Sequence, residues 1–303
     1  MSHILHFAAV LLCCLAVVRP LARARWTHAM PRTALLLWQA VGVTFELSAL
    51  GLLTAMVFAP ENQGTLPGLA RLLAGPGAGA LGPTAVVFTG LAALYLATRG
   101  GALAVTVHRT RARRRRHRHL LDLVARTDSS LPGVHVLDHP APAAYCLPGA
   151  DGRIVVTTGA LALLDPAHLA TVLAHERAHL RHRHDLVLLP FESWRRLLPA
   201  NSLLETAIGA VRLLLEMSAD DTCRRRLPGT DLAAALTHFA AAPATFPTPA
   251  GGFGVADEAV ATRTARLSAA RRPRPFTASV SAAALAVGGT LVSTPLSLFV
   301  LPF

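Results

Sequence analysis

Apolar residues gather into four long runs along this chain, and the runs predict its main elements. The first, Ile4 to Val18, extends back to Met1 with only Ser2, His3 and His6 interrupting it. The second, Thr33 to Ala59, is broken only by Gln39 and Glu46. The third, Leu81 to Val107, contains Arg99, and the fourth, Ala278 to Phe303, has no charge at all. A helix crosses a hydrocarbon core with about 20 mostly apolar residues, so each run is read as a span. Ala22-Arg23-Ala24 is similar to a small-x-small cleavage site, but a secretory signal carries its positive charge before the apolar run. Here Arg19, Arg23, Arg25 and Arg32 follow it, and span one is read as retained.

The pattern changes between spans three and four. Leu120 to Arg126 reads as a short helix. Three strand-like pieces follow, Val134–Asp138, Ala143–Leu147 and Arg153–Thr158, separated by Pro/Gly turns. Asp165-Pro166 then opens a helix, with the Asp as cap and the Pro at the first helical position, running on through Leu173, His175, Glu176, His179 and Leu180. Segment Leu186–Leu215 is apolar but broken by Pro190, Glu192, Arg195, Arg196 and Pro199; it is read as helices lying on or dipping into the membrane. The expected organisation is a three-span domain over 1–107, a middle domain over 108–275 and a last span over 276–303.

Composition strengthens the membrane reading: 52% of residues are hydrophobic and only 15% charged, against about 25% charged in a typical soluble domain. The net charge of +12 invites a nucleic-acid reading, but its distribution argues otherwise. All 29 basic residues are Arg; four follow span one and seven stand in Arg109–Arg118 after span three, while the 60–80 loop holds only Arg71 and Glu61. Loops rich in Lys and Arg stay cytoplasmic. Both termini are therefore expected outside the cell membrane, with 119–275 cytoplasmic. The Arg109–Arg118 run reads as a topology signal and a contact with anionic lipid in the bilayer, so no direct nucleic-acid binding is expected. Glu46 and Arg99 sit within spans, where charge is costly unless paired; they read as a structural ion pair or a sensing or gating pair. Cys13, Cys14, Cys146 and Cys223 read as small packing residues.

The chemistry lies in His175-Glu176-Arg177-Ala178-His179, an H-E-x-x-H. On a helix, residues four apart share a face, so both imidazoles address one point. Neutral imidazole suits Zn²⁺, which takes three protein ligands and a water in catalytic sites, and a Glu next to the first His reaches that water as general base. His175 and His179 are thus candidate ligands of one zinc ion and Glu176 the candidate catalytic base. The third ligand is open at this level. The extended motif would need Gly at 182 and His at 185; the chain has His182 and Asp185, and without the Gly a sharp turn is not favoured. A later helix offers Glu216 and Asp220, again four apart. Glu216 is the leading ligand, with Asp220 orienting a ligand His from behind; Asp185 is the rival, otherwise buttressing the helix end or an imidazole. His182 and His184 read as surface or supporting groups, and Tyr145 marks a strand whose edge could pair with an extended peptide.

These residues resemble the BlaR/MecR-type membrane metallopeptidases, an antirepressor family of gluzincin zinc proteases related more distantly to HtpX-type and CAAX-prenyl proteases. The resemblance is carried by Ala144-Tyr145, Leu147-Pro148-Gly149, Arg153 to Gly159, Leu173 to His179, His184-Asp185 and Glu216 through Ala219-Asp220. Three spans before the protease segment and one after it fit the same family. It implies a mainly α membrane protein of four transmembrane helices, with a cytoplasmic α+β zincin-type metallopeptidase domain between spans three and four. It also implies cleavage of a cytoplasmic protein substrate, such as a winged-helix repressor of the BlaI type, or of the chain itself. The β-lactam-sensing members continue into an extracellular penicillin-binding domain; this chain stops at Phe303, so direct β-lactam reception is not expected. The alternatives are an HtpX-like quality-control protease and a non-catalytic membrane sensor or scaffold.

Overall fold

The computed structural model describes residues 2–58, 70, 82–128, 131–149, 151–242, 257–269 and 277–300. In chain order the first helices are α1 (Ser2–Arg23), α2 (Arg25–Ala29), α3 (Pro31–Phe58) and α4 (Pro83–Val124). Four strands follow: β1 (Ala125–Thr127), β2 (Val134–Leu137), β3 (Ala144–Leu147) and β4 (Arg153–Thr157). Then come α5 (Thr158–Leu163), α6 (Pro166–Arg181), α7 (His184–Val187), α8 (Leu189–Leu197) and α9 (Ser202–Cys223). The last helices are α10 (Gly229–Ala241), α11 (Asp257–Ser268) and α12 (Thr277–Val300). Among the described residues, four helices are long and apolar enough to cross a membrane: His3–Arg23, Pro31–Phe58, Pro83–Val124 and Ala278–Phe299. Apart from Ala70, the expected 60–80 loop lies outside the described residues, as does the Leu301–Phe303 end of span four.

Internal packing divides the chain into two compact units, 1–104 with 190–211 and 275–303, and 105–189 with 212–274. Residues 190–211, grouped by sequence with the middle domain, here pack among the long apolar helices. In that first unit α3 lies against α1 and α12. Phe7 is fully buried, its ring 5.6 Å from that of Phe299. A Cβ on Gly51 would fall 2.3 Å from the Phe7 ring, so the missing side chain is what admits it. Glu46 and Arg99 are indeed paired. Arg99 Nε donates to Glu46 Oε1 at 3.0 Å, Tyr95 donates to Oε2 at 2.6 Å, and Trp194 Nε1 donates to Oε1 at 2.8 Å. The guanidinium also lies 3.8 Å from the centre of the Trp194 ring. Three side chains thus compensate one carboxylate, which is how a charge pair is tolerated in an apolar setting.

The second unit is built on a sheet of order β1-β2-β4-β3. β2 and β4 are parallel, while β1 and β3 run antiparallel to their neighbours. Alternation decides the two faces. Val134, Cys146, Ile154 and Val156 point to one side and pack with Ala160 and with Leu173 of α6. Tyr145, Leu147 and Val155 point to the other and pack on Leu121 near the end of α4. The expected strands form within a residue of their predicted limits. Leu120–Arg126, by contrast, is not a separate helix. Nothing between Gly101 and Pro132 breaks a helix, and Arg is a good helix former, so span three continues as α4 to Val124 before the chain turns into β1.

That continuation changes the meaning of the arginine run. Arg114, His117, Arg118 and Leu121 recur at helical spacing on one face. Arg114 donates to Asp185 at 2.8 Å, Arg118 to the Pro148 carbonyl at 2.6 Å, and a His117 ring nitrogen lies 2.8 Å from the Tyr145 hydroxyl. Arg109, Arg111, Arg113, Arg115 and Arg116 are exposed. The run is therefore an amphipathic surface, part of it holding the sheet and part of it facing outward.

Candidate metal centre

Helix α6 begins as expected: Asp165 caps it, its side chain accepting from His168 N at 2.8 Å, and Pro166 occupies the first turn. Its position is fixed from two sides. Leu173 sits in the sheet core, while Ala174 packs against Cys223, Leu232 and Leu236 of α9 and α10. The thiol of Cys223 donates to the Thr171 carbonyl at 3.5 Å, which ties the end of α9 to the middle of α6. This packing, rather than any local geometry, carries Glu216 across the sequence gap to the two histidines.

His175, His179 and Glu216 present one ligand atom each within 4.8 Å of one another. The two Nε2 atoms are 3.0 Å apart; His175 Nε2 lies 3.2 Å from Glu216 Oε2 and His179 Nε2 lies 3.5 Å from Oε1. Donors held about 2.0–2.1 Å from a tetrahedral zinc are separated from each other by about 3.3–3.4 Å. The separations are close to that spacing, with His175 facing one oxygen of the Glu216 carboxylate and His179 the other, and Glu216 Oε1 accepts no hydrogen bond among the described residues. His₂Glu is moreover a ligand set of catalytic zinc sites with one open position. The residues fit the ion.

Around them stands a charged frame. His175 Nδ1 lies 3.1 Å from Asp220 Oδ1, and Asp220 is fully buried. Arg263 of α11, only 2% exposed, donates to Asp220 through Nε at 2.9 Å and Nη2 at 2.7 Å, and through Nη1 to Glu216 Oε2 at 2.7 Å. Burial would raise both carboxyls, but the guanidinium outweighs it and holds Asp220 and Glu216 well below the usual carboxylate range. Burial likewise pulls His175 down, yet the hydrogen bonds its ring donates to Asp220 and Glu216 reverse it and leave the ring at about 9. Burial pushes His179 down to about 3, with the neighbouring His175 reinforcing the shift. Two imidazoles at 3.0 Å cannot both be charged, so the pair carries at most one positive charge in the absence of a cation. Glu176 is raised to about 7 by burial, with the charge on Glu216 adding to it.

One member of this frame is not visible in the sequence pattern, and for another the structure decides between two readings. Arg263 follows no motif and looks like one of 29 arginines. His184, read as a surface or supporting group, is 3% exposed, and its Nδ1 lies 3.0 Å from His179 Nδ1. The turn that brings it back is made without glycine, by Arg183 in the left-handed region at φ 49°. The turn made here without glycine returns His184, not Asp185, to His179. Asp185 meets Arg114 at 2.8 Å and Arg183 at 3.6 Å and stays off the His175–His179–Glu216 cluster. His182 is exposed, with Nε2 3.3 Å from the Thr222 hydroxyl. The four cysteines are free thiols, Cys146 and Cys223 both buried in the second unit.

A Protease HtpX homolog from Acidiphilium cryptum is 46% identical over 63 residues, which are 19% of this chain and 21% of that protein. Another from Thermoplasma acidophilum is 42% identical over 69 residues, 22% of each chain. The chain thus matches about a fifth of the length of these curated relatives. No solved structure matches. The similarity named by these relatives is the HtpX type, which the sequence motifs placed as the more distant relation. Residues 110–237 match peptidase family M48, a segment that holds every member of the cluster and its frame except Arg263.

Proposed function

We propose that the chain is an integral-membrane zinc endopeptidase. The observation that carries the reading is the triangle of His175, His179 and Glu216 donors with Glu176 beside it, in the segment similar to peptidase family M48. His175, His179 and Glu216 would hold one zinc ion. When bound, the ion supplies the Lewis acidity that makes a water nucleophilic near neutral pH and polarises a peptide carbonyl. Glu176, half-buried and raised to about 7, takes the proton of the attacking water and delivers it to the leaving amine. Asp220 holds the Nδ1 side of His175, and His184 meets the Nδ1 side of His179, so that both Nε2 atoms converge. β3 has β4 on one side only among the described residues, and its outer edge can take an extended peptide as a further strand.

The four long apolar helices and the arginine distribution support a multi-pass protein of the cell membrane, with both termini outside and the peptidase unit in the cytoplasm. The substrate is then a cytoplasmic protein, a winged-helix repressor or the chain itself. The HtpX relatives favour a second reading of the same chemistry, a quality-control protease. Purified full-length protein should carry about one zinc per chain and cleave an unfolded protein in detergent micelles. Glu176→Gln should keep the zinc and lose the cleavage; loss of metal and activity together would reject this coordination sphere.

A further inference from the structure

Among the long apolar helices of the first unit lies a cavity of about 160 Å³ bordered by α1, α3, α8 and the start of α9. Trp38, Val41 and Gly42 of α3 form part of its inner wall, and Trp38 and Val41 are only 1% and 6% exposed. Leu15 and Leu198 form its rim and are 43% and 45% exposed. The space exists partly because position 42 carries no side chain: a Cβ built there meets nothing within 4 Å. Another wall is Trp194, held in place by its bond to Glu46 and by the Arg99 guanidinium over its ring. Asn201 is the only amide side chain in the lining. The pocket opens at Leu15 and Leu198, and its largely apolar lining has room for a length of hydrocarbon.

Charge tells which hydrocarbon it takes. The cavity residues of α1 and α3 lie within a few turns of the α1–α3 connection, which carries Arg19, Arg23, Arg25 and Arg32. On α8, Arg195 follows the lining residue Trp194 and is paired with Glu192. Arginines at the end of an apolar pocket between membrane helices recognise an anionic headgroup while the pocket takes the tail. We propose that this cavity is a binding site for one acyl chain of an anionic phospholipid.

Trp38 gives the test, because it is sealed from surrounding lipid and reaches hydrocarbon only through the cavity. A full-length variant with Trp26→Phe and Trp194→Phe leaves Trp38 as its single indole. In nanodiscs containing phosphatidylglycerol with brominated chains, Trp38 emission should be quenched; Gly42→Leu, which fills the space, should abolish the quenching. Native mass spectrometry of the otherwise unsubstituted chain gives an independent readout. Anionic phospholipid should remain bound after detergent exchange and be lost in Gly42→Leu. Trp38 emission unaffected by brominated lipid, or retained lipid equal in both chains, would overturn the proposal. Equal quenching by brominated phosphatidylcholine at the same mole fraction would overturn its anionic selectivity.

Discussion

Replacing Arg263 by Met should destabilise the second unit more than any exposed substitution could. In the folded chain this guanidinium faces Asp220 at 2.7 Å and Glu216 at 2.7 Å, with Arg263 and Asp220 side chains 2% and 0% exposed. Solvent screening therefore gives no relief. Met retains most of the aliphatic volume and removes the guanidinium, leaving Asp220 and the largely buried Glu216 with only the protonated His175 between them. Breaking a buried pair in this way costs about 3–5 kcal/mol, and for a unit of this size that is a fall in Tm of about 6–20 °C. Zinc would place positive charge beside the same carboxylates, so the comparison belongs in chelator. All three tryptophans lie in the first unit and do not report on this one. The suitable probe is thermal exposure of the buried Cys146 and Cys223 thiols to a reactive dye, in a background with Cys13→Ser and Cys14→Ser. Arg263→Lys should recover only part of the loss, because a point charge cannot fork between two carboxylates. An Arg263→Met protein as stable in chelator as its parent would refute the charged frame.

Glu216→Gln should lose most of the zinc, whereas Asp185→Asn should retain it, since Asp185 lies on Arg114 and not on the histidines; metal analysis after dialysis showing the reverse would move the third ligand to Asp185. Gly159→Ala should destabilise by about 1–3 kcal/mol, the range of an overpacked interior, because its Cβ would fall 2.0 Å from the Pro140 carbonyl oxygen; an unchanged Tm would show that this loop gives way freely. A reporter inserted after residue 130 should behave as cytoplasmic and one in the 60–80 loop as external; the opposite pattern would invert the orientation inferred from the arginines.

What the sequence makes legible here follows from the range over which each physical constraint acts. Asp165 and Pro166 declare the start of α6 because capping and a fixed φ are settled within one turn. The β-branched run Ile154 to Thr157 declares β4 for the same reason. His175 and His179 are legible because helical spacing alone brings two ligands to one point. Glu216 is harder, but a metal restricts the chemical type of its ligands, and an acid between three leucines and a methionine stands out. The arginine run is only partly legible because composition counts charges and not faces. Only the partners of Arg114 and Arg118 separate the arginines that brace the fold from those on its surface.

Arg263 marks where such reading ends. Its bonds reach back 43 residues to Asp220, and a counter-charge, unlike a ligand, has no required spacing or fixed approach. Any element that packs over the carboxylates can deliver it, and in a chain with 29 arginines none is singled out. The consequence is mechanical as well as informational. His175 and Glu216 are tied through Arg263 to α11, beyond the segment similar to peptidase family M48. A chain truncated at the end of that segment would keep all three candidate ligands and still lose the cation that compensates Glu216 and Asp220.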